Sequence, residues 1–185
     1  MVYGLEVTGD GLYVGGDFGK AGGKTASGFT RWDGAAQLAI ITAAAGGSFR
    51  SDDGVQITFP AGAVASDTTI RFVSQGRPAV SVPQNTITLG AFRFTATNAA
   101  GQPVTSFGKA YTLRVPYDPA HVSAPSKLQL AYWEGAKWVG MLPCAGCKVD
   151  AANNQIIVVA DHFTDFAIFL QVDLDQQLYL PLVRR

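Results

Sequence analysis

Residues 46–72, GGSFRSDDGVQITFPAGAVASDTTIRF, constrain the fold more than any other segment of this chain. Apolar and polar residues alternate from Val55 to Phe59, which is typical of a strand with one buried face and one solvated face. Pro60 has no backbone donor and therefore ends this strand, while Gly62 permits a tight turn. Because the alternation resumes before residue 72, the segment predicts a strand, a sharp corner and a second strand.

Similar short runs fill the rest of the chain, separated by turn-forming residues, and no convincing amphipathic helix interrupts them. This pattern predicts an all-β fold, an antiparallel β-sandwich, rather than a parallel α/β sheet. The remaining predicted strands of the sandwich lie at residues 87–97, 110–116, 128–133, 138–142, 155–160 and 165–172.

Nine residues occupy the apolar phase of these runs, and we expect all nine to lie in one core. They are Ile57, Phe59, Ile70, Phe72, Phe94, Leu113, Val115, Leu130 and Phe166. We also expect Ala63 and Val64 to pack beneath the corner.

Residues 1–36 are predicted to form a separate N-terminal unit. Two short alternating runs, a Gly-rich loop and a strand at residues 29–32 follow one another here, and the strand leads into the sequence RWDG. This order is similar to one repeat of bacterial propeller-like arrays, whose units read glyVgG-F…aGG…RWDG. The resemblance implies a partial propeller-like repeat, the last unit of a longer array, because a single blade cannot bury its own faces. The alternative is that these residues are the first strands of the following domain.

We divide the rest of the chain into a β-sandwich at residues 37–172 and an extended tail at residues 173–185. The boundary segment 35–45, AAQLAIITAAA, is apolar but contains β-branched residues and no helix cap. We interpret it as a linker that becomes the entering strand of the sandwich.

The sandwich segment resembles the ZU5 family, whose members carry a glycine pair, a strand and a P-x-G-A-[VL] corner in this order. The stretch YWEGAKWVGM is similar to the aromatic hairpin of bacterial ZU5-like modules, and DHFTDFAIF is similar to their closing strand. These motifs span about residues 46–170. The resemblance implies a β-sandwich module that holds a larger protein together.

Charge and hydropathy exclude several function classes. Fourteen basic residues balance fourteen acidic residues, and no Lys/Arg cluster is present, which disfavours nucleic acid and anionic membranes as partners. No run of eighteen apolar residues exists, so we expect no membrane insertion. No glycine-rich phosphate loop or catalytic serine motif occurs, and we expect no cofactor.

The two cysteines lie in the sequence PCAGC, at Cys144 and Cys147. A thioredoxin-like redox site would need a βαβ context, and a zinc site would need two further ligands, whereas His121 and His162 are the only histidines. We therefore expect a local disulfide, which agrees with an exported protein. Acidic pairs such as Asp52-Asp53 lack the spacing of a calcium loop, so we expect no metal.

The triplet His162-Phe163-Thr164 is the strongest candidate for chemistry. In animal ZU5-UPA proteins a His-Phe-Ser site cleaves itself, and this resemblance implies Thr164 as nucleophile, Phe163 as carbonyl donor and His162 as base. The alternative, which we favour, is a turn from which Phe163 and Phe166 enter the core.

A second rival function is carbohydrate binding on a platform formed by exposed residues among Trp32, Trp133 and Trp138.

The tail LDQQLYLPLVRR carries Leu178, Leu180, Leu182 and Val183 around a proline, which favours an edge strand. We expect the two terminal segments to contact other domains of the parent protein or copies of this chain. The sequence as a whole thus predicts a noncatalytic structural module of an extracellular or cell-surface bacterial protein.

Overall fold

A computed structural model describes residues 1–8, 11–21, 24–25, 28–32, 36–78 and 80–172. Within these residues the chain is all-β, as predicted, and every pair of neighbouring strands is antiparallel. Two 3₁₀ turns, Pro119–His121 and Pro125–Lys127, are the only helical segments in the described part of the chain.

The N-terminal segment forms a small sheet of its own. Its strand order is β1-β2-β5, and a two-stranded ribbon of β3 and β4 lies between β2 and β5 in sequence. The strands are β1 (Val2–Thr8), β2 (Gly11–Gly16), β3 (Lys20–Ala21), β4 (Lys24–Thr25) and β5 (Phe29–Trp32). Strand β5 has the bounds that the sequence predicts.

The rest of the described chain forms two sheets. The six-stranded sheet has the order β13-β12-β16-β10-β9-β6, and the five-stranded sheet has the order β14-β15-β11-β8-β7. The strands of the first sheet are β6 (Gln37–Ile41), β9 (Thr68–Ser74), β10 (Thr86–Asn98), β12 (Leu128–Trp133), β13 (Trp138–Gly140) and β16 (Asp165–Gln171). Those of the second are β7 (Gly47–Arg50), β8 (Gln56–Phe59), β11 (Ser106–Pro116), β14 (Lys148–Asp150) and β15 (Gln155–His162).

A single apolar core lies between these two sheets, as the antiparallel sandwich prediction requires. Inward-facing residues alternate along each strand, and aromatic rings contact one another across the interface. The Phe49 ring of the five-stranded sheet, for example, lies 5.7 Å from Phe72 and 6.2 Å from Phe94 of the six-stranded sheet. All nine predicted core residues are buried in this cluster, which confirms the assigned strand phases.

The corner that follows β8 also forms as predicted. Ala63 and Val64 are buried, and Gly62 adopts a left-handed φ of 74°. The strand itself is one residue shorter than predicted at its start. Val55 is buried but lies before β8, because its N–H donates to the side-chain oxygen of Ser51 at 3.0 Å.

The predicted strand 138–142 ends early, at Gly140. Beyond this point the backbone of Leu142 bonds to a side chain instead of to a neighbouring strand. The Nε2 of Gln129 donates to the Leu142 carbonyl at 3.0 Å. The sequence does not predict two strands of the sandwich, β7 and β14, which are both short edge strands of the five-stranded sheet. It also does not predict β3 and β4, which lie where a Gly-rich loop is expected.

Candidate functional site

The crossover between the two sheets contains the triplet His162-Phe163-Thr164. Strand β15 ends at His162 in the five-stranded sheet, and β16 begins at Asp165 in the six-stranded sheet. Only two residues therefore carry the chain from one sheet to the other. Phe163 is buried, and its N–H donates to the carbonyl of Thr105 at 2.9 Å.

The ring of Phe163 is the centre of an aromatic cluster. It stacks on Phe94 at 5.1 Å and contacts Phe107 at 4.7 Å and Tyr111 at 5.4 Å. Phe166, the first inward-facing residue of β16, is fully buried. Both phenylalanines thus enter the core, as expected for these two rings.

The polar groups of the triplet are bonded to different neighbours. The Thr164 hydroxyl donates to the Trp133 carbonyl at 2.7 Å, and the His162 carbonyl accepts from the Tyr111 hydroxyl at 2.7 Å. The Nδ1 of His162 lies 3.1 Å from the Asp161 carboxylate, and its ring contacts Tyr132. The hydroxyl of Thr164 is thus engaged with another strand.

Tyr111 is the residue at this crossover that the sequence reading did not single out. Burial raises the pKa of its hydroxyl well above the ordinary tyrosine value, and the charge of Asp161 adds to the rise. The phenol therefore stays protonated and serves as a donor. The sequence predicts Tyr111 on a strand. The carbonyl that accepts its hydroxyl belongs to His162, 51 residues away, and no local pattern indicates a hydrogen bond over that separation.

The outer face of the six-stranded sheet carries a second, smaller apolar cluster. Ala167 on β16 pairs with Ala91 on β10 and with Ala131 on β12, so three methyl groups form a row across adjacent strands. These residues and Phe169 are buried, and Trp138 packs against them. Small side chains in this row leave space for the indole ring, which contacts Phe169 at 5.3 Å.

Trp133 and Trp138 pair across the predicted aromatic hairpin. Their rings lie 5.4 Å apart and are inclined by 62°, and Trp138 Nε1 donates to the carbonyl of Ser81 at 3.0 Å. The two partly exposed indoles therefore do not form one flat platform. Trp32, the third candidate, lies on β5 of the N-terminal sheet.

An ion pair that sequence did not reveal lies on the same face. The Arg93 guanidinium donates to both carboxylate oxygens of Asp165, one of these bonds being 2.7 Å long. The bond to Asp165 raises the pKa of Arg93. This pair joins β10 to the first residue of β16, directly after the crossover, and a bidentate geometry fixes the register of the two strands.

The two cysteines are joined in the loop between β13 and β14. Their Cα atoms are 5.0 Å apart, which agrees with the predicted disulfide. The loop leads from the edge of one sheet to the edge of the other. Cys144 is exposed, whereas Cys147 is partly buried and packs against the core.

Among residues 1–8, 11–21, 24–25, 28–32, 36–78 and 80–172, no group of three or more His, Cys, Asp or Glu side chains is arranged to hold a metal ion. The four tail residues predicted to make contacts, Leu178, Leu180, Leu182 and Val183, lie outside the described residues. In the described part of the chain, no helix has the length and apolar character needed to cross a membrane.

No known protein-family model matches the chain, and no curated protein shows significant sequence similarity to it. The resemblance to ZU5 modules therefore depends on the corner, hairpin and closing-strand motifs alone.

Proposed function

We propose that the chain is a noncatalytic, ZU5-like structural module of an extracellular or cell-surface bacterial protein. It assembles with other domains of its parent protein or with copies of itself through strands near its termini. The observation that carries this proposal is the apolar surface of β1.

Strand β1 is an edge strand, bonded only to β2 among the described strands. Val2 is 52% exposed, Tyr3 72% and Leu5 66%, so apolar side chains reach solvent on both faces of the strand. An edge strand with apolar side chains and open backbone groups is a template for strand addition, and proteins usually cover or charge such an edge. A neighbouring strand or sheet is the natural cover for β1.

Strand β6 repeats this pattern where the sandwich begins. It is an edge of the six-stranded sheet, and Leu38 and Ile40 on its outer face are 63% and 66% exposed. The exposed apolar strands therefore lie in the N-terminal sheet and in the strand that follows it. The cysteine pair adds support for an oxidising, extracellular compartment.

To test this proposal, the mass of the full chain in solution is measured by light scattering over a range of concentrations. We expect a concentration-dependent dimer or larger assembly, weakened by Leu5→Lys and by Leu38→Lys. Glu6→Lys, a larger change of charge on the same strand β1, is the matched control and should leave the assembly intact. A monomer at every concentration would contradict assembly between copies, and equal effects of Leu5→Lys and Glu6→Lys would contradict the apolar contact.

The two rival functions receive less support from the geometry. Self-cleavage between Phe163 and Thr164 needs the threonine hydroxyl to attack the Phe163 carbonyl, whereas this hydroxyl donates to Trp133. Denaturing electrophoresis of the pure protein, with Thr164→Ala as control, would reveal a fragment of residues 164–185. Sugar binding by Trp133 and Trp138 would need stacking surfaces, and a glycan array with each tryptophan replaced by alanine tests it.

A further inference from the structure

The two sulfur atoms of the PCAGC loop have different environments. Cys144 is exposed and lies between the exposed residues Pro143 and Ala145, so an incoming group can reach it. Cys147 packs against the core, and its sulfur accepts the N–H of Val159 at 3.3 Å. An external nucleophile therefore has access to one sulfur of the pair and not equally to the other.

The bond from Val159 follows from the way β14 begins. Strand β14 begins at Lys148, which pairs with Ile157 of β15. No residue of β14 therefore lies opposite Val159 to accept its N–H. The Cys147 sulfur replaces the missing carbonyl. A donor fixed in this position also stabilises a thiolate at Cys147, since a hydrogen bond to the charged form favours that form.

Contacts other than the disulfide also hold the loop. The N–H of Cys147 donates to the carbonyl of Cys144 at 3.0 Å, and Gln129 holds the backbone of Leu142 before the loop. The strand β14 fixes the chain after it. A disulfide across so few residues also removes little chain entropy from the unfolded state. We therefore expect the sandwich and the loop to keep their shape when the bond is opened.

We propose that the Cys144–Cys147 disulfide is a thiol–disulfide exchange site. An external thiolate attacks the Cys144 sulfur, a new bond forms between these two sulfurs, and the bond to Cys147 breaks. The electron pair of that bond goes to Cys147, which leaves as a thiolate bonded by Val159 N–H. A second external thiol then releases Cys144, so that two external thiols become one disulfide and the chain becomes a dithiol.

The thiol can belong to a small molecule or to another polypeptide, and the geometry admits both because Cys144 is flanked by small or exposed residues. We therefore specify the first test with two probes, reduced glutathione and a peptide with a single cysteine. Each is incubated with the folded, full-length protein, and free thiols are then alkylated at low pH. Mass spectrometry should find the probe on Cys144 and the alkyl group on Cys147. Adducts mainly on Cys147, or none with either probe, would overturn the proposal, and the relative yields decide between the two sources.

Single-cysteine variants supply the second test. Compared at an alkaline pH at which both thiols are ionised, we expect the Cys144 thiolate of Cys147→Ser to react with oxidised glutathione at least about tenfold faster than the Cys147 thiolate of Cys144→Ser, because the rates then differ mainly through access to the sulfur. Equal rates, or a faster Cys147, would contradict the asymmetry. The double variant Cys144→Ser/Cys147→Ser should keep the near-ultraviolet circular dichroism of the oxidised protein. Its loss would show that the disulfide is a structural staple, which would also overturn the proposal.

Discussion

The side-chain hydroxyl of Tyr111 donates a hydrogen bond to the backbone carbonyl of His162, with the two oxygens 2.7 Å apart. Tyr111 lies on β11 of the five-stranded sheet, and His162 is the last residue of β15 before the chain crosses to the other sheet. The bond therefore anchors the polypeptide at the point where it crosses from one sheet to the other.

Replacing Tyr111 with phenylalanine should lower the free energy of unfolding by about 1–3 kcal/mol, because the change leaves a partly buried carbonyl without its donor. Tyr117→Phe is the matched control. Within the described part of the chain the hydroxyl of Tyr117 is buried with no hydrogen-bond partner, so its removal should be neutral or stabilising. Urea unfolding of both variants measures the difference, and an equal loss in the two would contradict the role of the Tyr111 bond.

Stability should fall at alkaline pH through the same residue. Burial raises the pKa of Tyr111 in the folded protein, whereas the unfolded chain releases this proton near pH 10. The contribution of protonated Tyr111 to the free energy of unfolding is therefore complete below about pH 10. Above that pH it decreases by up to about 1.4 kcal/mol per pH unit, until the folded-state pKa is reached.

The comparison that isolates this effect is urea unfolding of the natural chain and of Tyr111→Phe between pH 9 and pH 11. All other titrating groups are shared, so the difference between the two chains reports Tyr111. The natural chain should lose stability more steeply. Parallel pH profiles would refute the assignment.

Gly46 should be the least replaceable glycine of the sandwich. It has a left-handed φ of 72°, and an added Cβ would overlap the carbonyl oxygen of Phe59. Gly101 has a φ of 75°, but no atom of the described residues lies within 4 Å of an added Cβ. Gly101→Ala should cost about 1–2 kcal/mol for the backbone conformation alone. Gly46→Ala should cost clearly more or abolish soluble expression, and equal midpoints in thermal unfolding would rule out the steric clash.

Truncating Phe72 to alanine should lower the free energy of unfolding by about 3–5 kcal/mol. Its ring is fully buried and contacts Phe49, Phe92 and Phe94 with centroids at 5.7, 5.8 and 5.1 Å. Ile87→Ala, at a half-exposed position of β10, should change stability by less than about 1 kcal/mol. Chemical denaturation of both variants provides the measurement, and similar losses would mean that the core is not where the structure places it.

Local alternation explains why so much of the sandwich is predictable. The phase of Ile57 and Phe59 or of Ile70 and Phe72 depends only on neighbours two residues away, and each of these residues is buried. Strand β12 has the predicted bounds, Leu128–Trp133, because turn residues flank it on both sides.

Pairing between distant segments explains the rest. Nothing near Asp165 indicates that its partner is Arg93, or that β15 and β16 belong to different sheets. The alanines at positions 91, 131 and 167 occupy the outward phase, which predicts exposure, yet they are buried beside Trp138 and Phe169. Their burial depends on strand order, and strand order is not a local property.

The position of β16 has a consequence for synthesis on the ribosome. This strand lies between β10 and β12, although it comes last in sequence among the sixteen strands of the described residues. Until residues 165–171 have left the exit tunnel, the strands of the six-stranded sheet can pair only as two separate pieces, β13-β12 and β10-β9-β6. Each piece has one open edge that is shaped to accept β16, and pairing over such long sequence separations is slow. A nascent chain that stalls before Asp165 would therefore expose the unpaired edges of β12 and β10, which are prone to pair with other chains. The emergence of one seven-residue strand covers both edges.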